Sequence, residues 1–104
     1  MPQYMILYRS TMPIGEQMSG TPEEMQASME AWMAWGGATG SHLIEFGSPT
    51  MPTSDADPGP AGWIGGYSIL EAADLAEVEG LVAEHPHKAF GTIEVLEILP
   101  MPGS

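Results

Sequence analysis

The chain contains no cysteine. That absence excludes disulfides, thiolate metal sites and a cysteine nucleophile together. Positive charge is almost missing too: Lys and Arg number 2 against 14 Asp and Glu, a formal net charge of −12. A surface of that sign repels nucleic acid and anionic membrane, so neither is expected as a partner. It also opposes its own compaction, so screening by salt should stabilise the fold. No run approaches the roughly 18 apolar residues of a membrane span. The start, "MPQYMILYRS", lacks the basic beginning and small-residue cleavage site of a secretory signal. The expectation is a cytoplasmic protein, a single domain over residues 1–104.

What is present suffices for one small core: 43% of the 104 residues are apolar. "QYMILYR" (Gln3–Arg9) alternates Tyr4, Ile6 and Tyr8 against Met5, Leu7 and Arg9 and predicts a strand with both faces covered. "TPEEMQASMEAWMAWGG" predicts a helix. Thr21 and Glu24 form its capping box, and Pro22 takes the first turn. Met25, Met29, Trp32, Met33 and Gly36 form its apolar stripe, and Gly36-Gly37 its end. "SHLIEFG" (Ser41–Gly47) reads as a second strand. Residues 48–62 form a Pro- and Gly-rich loop, long enough to act as a lid or binding loop. "WIGGYSIL" (Trp63–Leu70) reads as a third strand, with Gly65-Gly66 marking a bulge or a close approach. "DLAEVEGLVAEH" predicts a second helix with Asp74 and Glu77 as its capping signal. Leu75, Val78, Leu81 and Val82 form its apolar face, and Pro86 stops it. "GTIEVLEIL" (Gly91–Leu99) is the last strand.

Strand, helix, strand, strand, helix, strand is the order of a ferredoxin-like α+β fold with a four-stranded antiparallel sheet. Two helices cover one face of such a sheet. A first strand apolar on both sides therefore predicts a second copy on the other face, a homodimer closing a dimeric α+β barrel.

The residues able to do chemistry are few. Arg9, the only arginine, carries two readings: a structural pair with a carboxylate such as Glu94 or Glu97, or an anchor for an anionic substrate group. Trp32, Trp35 and Trp63 suit either core packing or the wall of a site for a flat ligand. "EHPHKAFGTIEV" holds two of the three histidines. His85 falls where a helix dipole would favour its protonated form. His87 lies beyond Pro86, on a turn that could present a general acid or base near neutral pH. If strands one and four are neighbours, His87 and Arg9 meet at one end of the sheet, beside Tyr8. His87→Ala is then expected to behave as a surface change, costing about 1 kcal/mol or less. His-x-His alone is a weak metal signature, and no metal or other cofactor is expected.

The stretches "GYSILEA", "HPH" and "GTIEVLEILPMP", with "YMILYR", "TPEEMQASMEAWMAW" and "GSP" (Gly47–Pro49) upstream, resemble the YCII-related (DGPF-type) family in order and spacing. The resemblance spans nearly the whole chain. It implies the ferredoxin-like fold paired into a dimeric α+β barrel. It also implies a role that is unassigned for most members, although one branch contains a chlorinated-hydroxyquinol dehydrochlorinase. The founding branch carries a His near the start of the first helix and an Asp before the proline that follows the second. Here that helix has no His, and His85 precedes Pro86, so the pair does not carry over. What carries over is Pro86-His87 and Arg9, while "DPGPAGW" stands where the DGPF signature would be. Two functions follow as expectations. One is a small cofactorless enzyme acting by proton transfer on an aromatic or carbonyl compound. In it His87 is the acid/base, Arg9 the anion anchor, and Tyr8, Trp35, Trp63 and His85 line the site. The other is a non-catalytic ligand-binding or regulatory module.

Overall fold

The structure, a computed structural model, describes residues 1–12, 20–54 and 56–100. Strand β1 (Gln3–Ser10) leads to helix α1 (Pro22–Thr39), a 3-10 turn (Gly40–His42) and the short β2 (Leu43–Glu45). Then come β3 (Trp63–Glu71), α2 (Leu75–Val82), a second 3-10 turn (Pro86–Ala89) and β4 (Thr92–Ile98). The sheet runs β2-β3-β1-β4, with every neighbouring pair antiparallel. This is the α+β, ferredoxin-like arrangement expected from the order of elements.

The period of two in β1 separates the faces of the sheet. Tyr4, Ile6, Tyr8 and Ser10 are buried, and Gln3, Met5, Leu7 and Arg9 are half-buried. The buried set meets Ser68 and Leu70 of β3, Ala72, Trp35 of α1, and Val78 and Val82 of α2. Ile6, Leu70 and Val78 are fully enclosed, so truncating one to Ala would cost about 2–5 kcal/mol. On the opposite face Ile69, Met5 and Leu96 lie in one cross-strand row. No helix among the described residues covers that row, and Leu96 and Ile98 are exposed.

Both glycines of "WIGGYSIL" act as their position suggested. Tyr8 pairs with Gly66 but Arg9 with Ile64, so Gly65 is the extra residue of a bulge. Gly66 is approached from the other side by the loop after β2, through a bridge to Pro49. At the start of α2 the Asp74 carboxylate accepts from Glu77 N–H at 2.9 Å, and the Glu77 carboxylate accepts from Ala73 N–H at 3.1 Å.

Several element-level expectations are corrected. Helix α1 does not end at Gly36-Gly37. It continues to Thr39, whose hydroxyl donates to Trp35 O at 2.8 Å, and Gly40 caps it at φ 59°. Gly36 instead serves packing, since a Cβ there would lie 2.9 Å from the Phe46 ring. The apolar stripe of α1 is also displaced. Met25, Met29 and Met33 are 49%, 61% and 61% exposed, while Trp35 and Thr39 are buried and Trp32 and Gly36 half-buried. The inward face is thus rotated by about one residue from the methionine stripe. The helical period was right, but residues 21–31 are all exposed. Strand β2 is three residues, with His42 in the turn before it. Leu75 is exposed, and α2 stops at Val82. No helix among the described residues is long and apolar enough to cross a membrane.

Candidate functional site

One end of the sheet gathers the aromatic and imidazole side chains. Tyr8 projects from β1 toward the helices. Trp32 and Trp35 project from α1, and His85 and His87 from the turn that Pro86 sets after α2. His85 is 2% exposed and His87 5%. The His85 ring lies 4.7 Å from Tyr8, 4.4 Å from Trp32 and 4.3 Å from Trp35, centre to centre. The His87 ring lies 5.3 Å from Tyr8 and 6.4 Å from Trp32.

Hydrogen bonds to the backbone fix both imidazoles. His87 N–H donates to His85 Nδ1 at 3.0 Å, so His85 caps the 3-10 turn. The same contact requires Nδ1 to be the unprotonated nitrogen of His85 and Nε2 to carry the proton. His87 Nε2 sits 2.8 Å from Arg9 O. A carbonyl only accepts, so Nε2 of His87 carries a proton, and in the neutral ring the lone pair is on Nδ1. This seat depends on Gly91, where a Cβ would lie 2.0 Å from Arg9 O and 3.0 Å from His87 Nε2. Only a residue without a side chain lets β4 begin against that pair.

Tyr8, Ser68 and Phe46 form a chain of donors that ends on a carbonyl. Ser68 donates its single proton to Phe46 O at 2.6 Å, so the Tyr8 hydroxyl must be the donor in its 2.7 Å contact with Ser68 Oγ. Burial pushes the Tyr8 phenol up to about 12, only partly offset by Ser68. Tyr8 is therefore a neutral donor and no base. Trp35 Nε1 donates to Leu81 O at 2.9 Å and ties α1 to α2. Burial pulls His85 down from 6.5 to about 4, with His87 as a second, smaller cause. The ring is neutral, which corrects the expectation of an imidazolium held by a helix dipole. The helix ends three residues earlier, and aromatic rings surround the side chain.

The sequence-derived candidates do not all converge. Tyr8, Trp35, His85 and His87 share this cluster. Arg9 reaches it only through its carbonyl, because its side chain alternates with those of Tyr8 and Ser10 and leaves on the opposite face. There the guanidinium pairs with Glu94 at 3.0 Å and donates to Gly62 O at 3.1 Å. Trp63 lies apart, lining a recess with Pro52, Ala56 and Pro58 of the long loop. Trp32, weighed with the other tryptophans as the wall of a site, belongs to the cluster; two further members, Ser68 and Phe46, were not among the expected residues. Ser68 was legible, since the period of β3 sets it between Gly66 and Leu70 on the inner face. Phe46 was not, because its backbone oxygen is the part that matters. An open groove of about 520 Å³ also runs between α1 and α2 over Trp35, past Leu81, Glu84 and Pro86. Among the described residues no group of three His, Cys, Asp or Glu is placed to hold a metal ion.

No curated protein matches the chain. Solved structures do. One is 5-chloro-2-hydroxyhydroquinone dehydrochlorinase from Burkholderia phenoliruptrix AC1100, in complex with 2,5-dihydroxybenzoquinone. It is similar at a TM-score of 0.58 and 19% identity, over 93% of either chain. At that identity the likeness is one of fold. The family model of the YCII-related domain matches residues 3–102, from the first residue of β1 to beyond the end of β4. The chain belongs to the YCII-related domain family.

Proposed function

We propose that this cluster is a small-molecule site and that the protein is a cofactorless enzyme, moving a proton on a small aromatic or carbonyl compound. The observation that carries the reading is the fixed tautomer of His87. Its Nε2–H is committed to Arg9 O, which leaves Nδ1 as a lone-pair base on a rigid turn. In the reaction Nδ1 takes a proton from the substrate. The electron pair left behind either expels a leaving group or accepts a proton elsewhere, giving elimination or isomerisation. Tyr8, Trp35 and His85 contact the bound ring. Arg9 holds β1, β4 and the end of the long loop in register and so seats His87 from behind. The likeness to a dehydrochlorinase that binds a hydroxylated quinone supports a ligand of this kind.

The test uses 2,5-dihydroxybenzoquinone as probe, with deuterium exchange into its ring C–H positions followed by NMR. The protein should accelerate exchange, and His87→Gln, which keeps a donor for Arg9 O but removes the base, should abolish the acceleration. A second reading, a non-catalytic binding module, draws on the burial of His87 and its bonding to backbone alone. Probe binding without accelerated exchange would select it.

The uncovered row of Ile69, Met5 and Leu96, with Leu7 beside it, supports a homodimer through the open sheet face, and we place the dimer in the cytoplasm. It should bury on the order of 1,500 Å² or more. Sedimentation at micromolar protein should show the dimer, and Leu96→Glu should shift the species to monomer.

A further inference from the structure

A buried N–H without an acceptor costs about 1–3 kcal/mol against a paired one. His85 Nε2 is such a group, and the only unpaired buried side-chain nitrogen or oxygen among the described residues. Loose packing does not account for it. Within the same cluster Tyr8, Ser68, Trp35 and His87 all find partners. The donor is also well defined, since the His87 N–H on Nδ1 forces the proton onto Nε2. The chain thus holds a fixed donor inside three aromatic rings and supplies nothing for it to donate to.

Those three rings are not held alike. Tyr8 is tied by its hydroxyl and Trp35 by its indole N–H, whereas Trp32 is half-buried and its indole makes no hydrogen bond among the described residues. Trp32 meets His85 perpendicularly, at 89°. A contact of that kind offers an N–H at most a π face, a weak acceptor. The open groove over Trp35 is no entrance, because the indole that floors it is fixed to Leu81 O.

We propose that His85 Nε2–H is the donor to an ionised ring oxygen of the ligand, and that the Trp32 indole is the wall that swings aside to admit it. This deepens, and rests on, the reading of the cluster as a small-molecule site. The class of ligand follows from the chemistry. A group that can only donate selects an acceptor and rejects ammonium or other donor groups. A neutral donor in an apolar box favours an oxygen whose charge is spread over a flat ring, such as a phenolate or a hydroxyquinone anion. The geometry also suits the proton transfer assigned to His87. As a C–H or O–H bond of the substrate breaks and its proton passes to Nδ1, the electron pair delocalises through the ring to that oxygen. Donation from His85 then strengthens as charge develops.

The test is binding of 4-nitrophenol, a phenol that ionises near neutral pH, followed by tryptophan quenching. Affinity should rise with pH as the probe ionises. His85→Asn keeps an acceptor at the Nδ1 position and loses the Nε2 donor. It should weaken phenolate binding about tenfold or more, the share of a hydrogen bond to a charged group, and flatten the pH dependence. His85→Gln, whose amide reaches the Nε2 position, should retain most of the affinity. Trp32→Ala should speed association. In the wild type, with no substitution needed, the proton on His85 Nε2 should move downfield in NMR on saturation with the probe. Affinity unchanged in His85→Asn, affinity independent of pH, or an unmoved Nε2 resonance would overturn the proposal. Accelerated exchange at His87 that survives His85→Asn undiminished sinks this inference alone. His85-dependent binding with no accelerated exchange by the wild type sinks only the catalytic role of His87.

Discussion

His85 and His87 lie two positions apart and carry the proton on the same nitrogen, Nε2, yet each spends a different nitrogen on the backbone: His85 accepts through Nδ1 and His87 donates through Nε2. His85 is the one that links stability to pH. In the fold it stays neutral to about 4, whereas its ordinary value is 6.5. Between those values the unfolded chain binds the extra proton. The contribution is therefore complete above about pH 6.5 and lost as pH falls toward 4, at up to about 1.4 kcal/mol per pH unit. Urea unfolding of the wild type and His85→Asn across that window should show the wild type losing its advantage as pH drops, with the carboxylates common to both cancelling. A constant difference would place the proton elsewhere. His87 is no surface residue, contrary to the sequence-based expectation. It is buried and holds Arg9 O, so its truncation should cost about 1–3 kcal/mol. Its neighbourhood with Arg9 was legible from the order of strands. The side-chain direction of Arg9 was equally legible, since Tyr8 and Arg9 alternate and cannot both face the helices.

At the scale of elements, α1 shows how a correct period can select the wrong face. Its N-terminal cap and helical nature were plain from Thr21, Pro22 and Glu24. Which side turns inward depends on what lies beneath, and that is set by β1, the Pro86 turn and Phe46, all distant in sequence. The outcome leaves Met25, Met29 and Met33 accessible on successive turns. Mild peroxide should oxidise these three with the fold retained. Met29→Gln should leave stability within about 0.5 kcal/mol, as exposed substitutions do. Peptide mass mapping with circular dichroism checks both, and loss of structure on oxidation at these positions would mean that the stripe is covered in solution. The short β2 was overestimated because His42, Ile44 and Phe46 alternate as a strand would. His42 instead bonds Glu71 O at 2.8 Å through Nδ1, and this bends the chain into a turn.

For the whole molecule, charge is the dominant long-range term. Two cations cannot offset 14 carboxylates, and one of them, Arg9, is already committed to Glu94. Raising NaCl to about 0.5 M shortens the screening length to a few Å and should raise the melting temperature; no change, or a fall, would contradict the role of self-repulsion. The same field opposes docking two copies, so the dimer should also tighten with salt. Fold class was readable from the order of elements because each strand and helix carried its own period. The cluster at the end of the sheet was readable only in part, because hydrogen bonds to carbonyl oxygens leave no mark on residue identity.

Strand β1 lies at the centre of the sheet, between β3 and β4, yet it is made first. One of its two neighbours starts at Thr92, so the central strand waits through most of synthesis with an unpaired edge. Until β4 arrives, Tyr4, Ile6 and Tyr8 have backbone partners on one side at most. His87 then has no fixed carbonyl to lean on, since Arg9 is not yet held. Contacts this far apart in the chain slow folding relative to helical proteins of the same size. His87 should therefore take up its final tautomer among the last events, when the sheet closes around β1, whereas His85 is set locally by the His87 N–H.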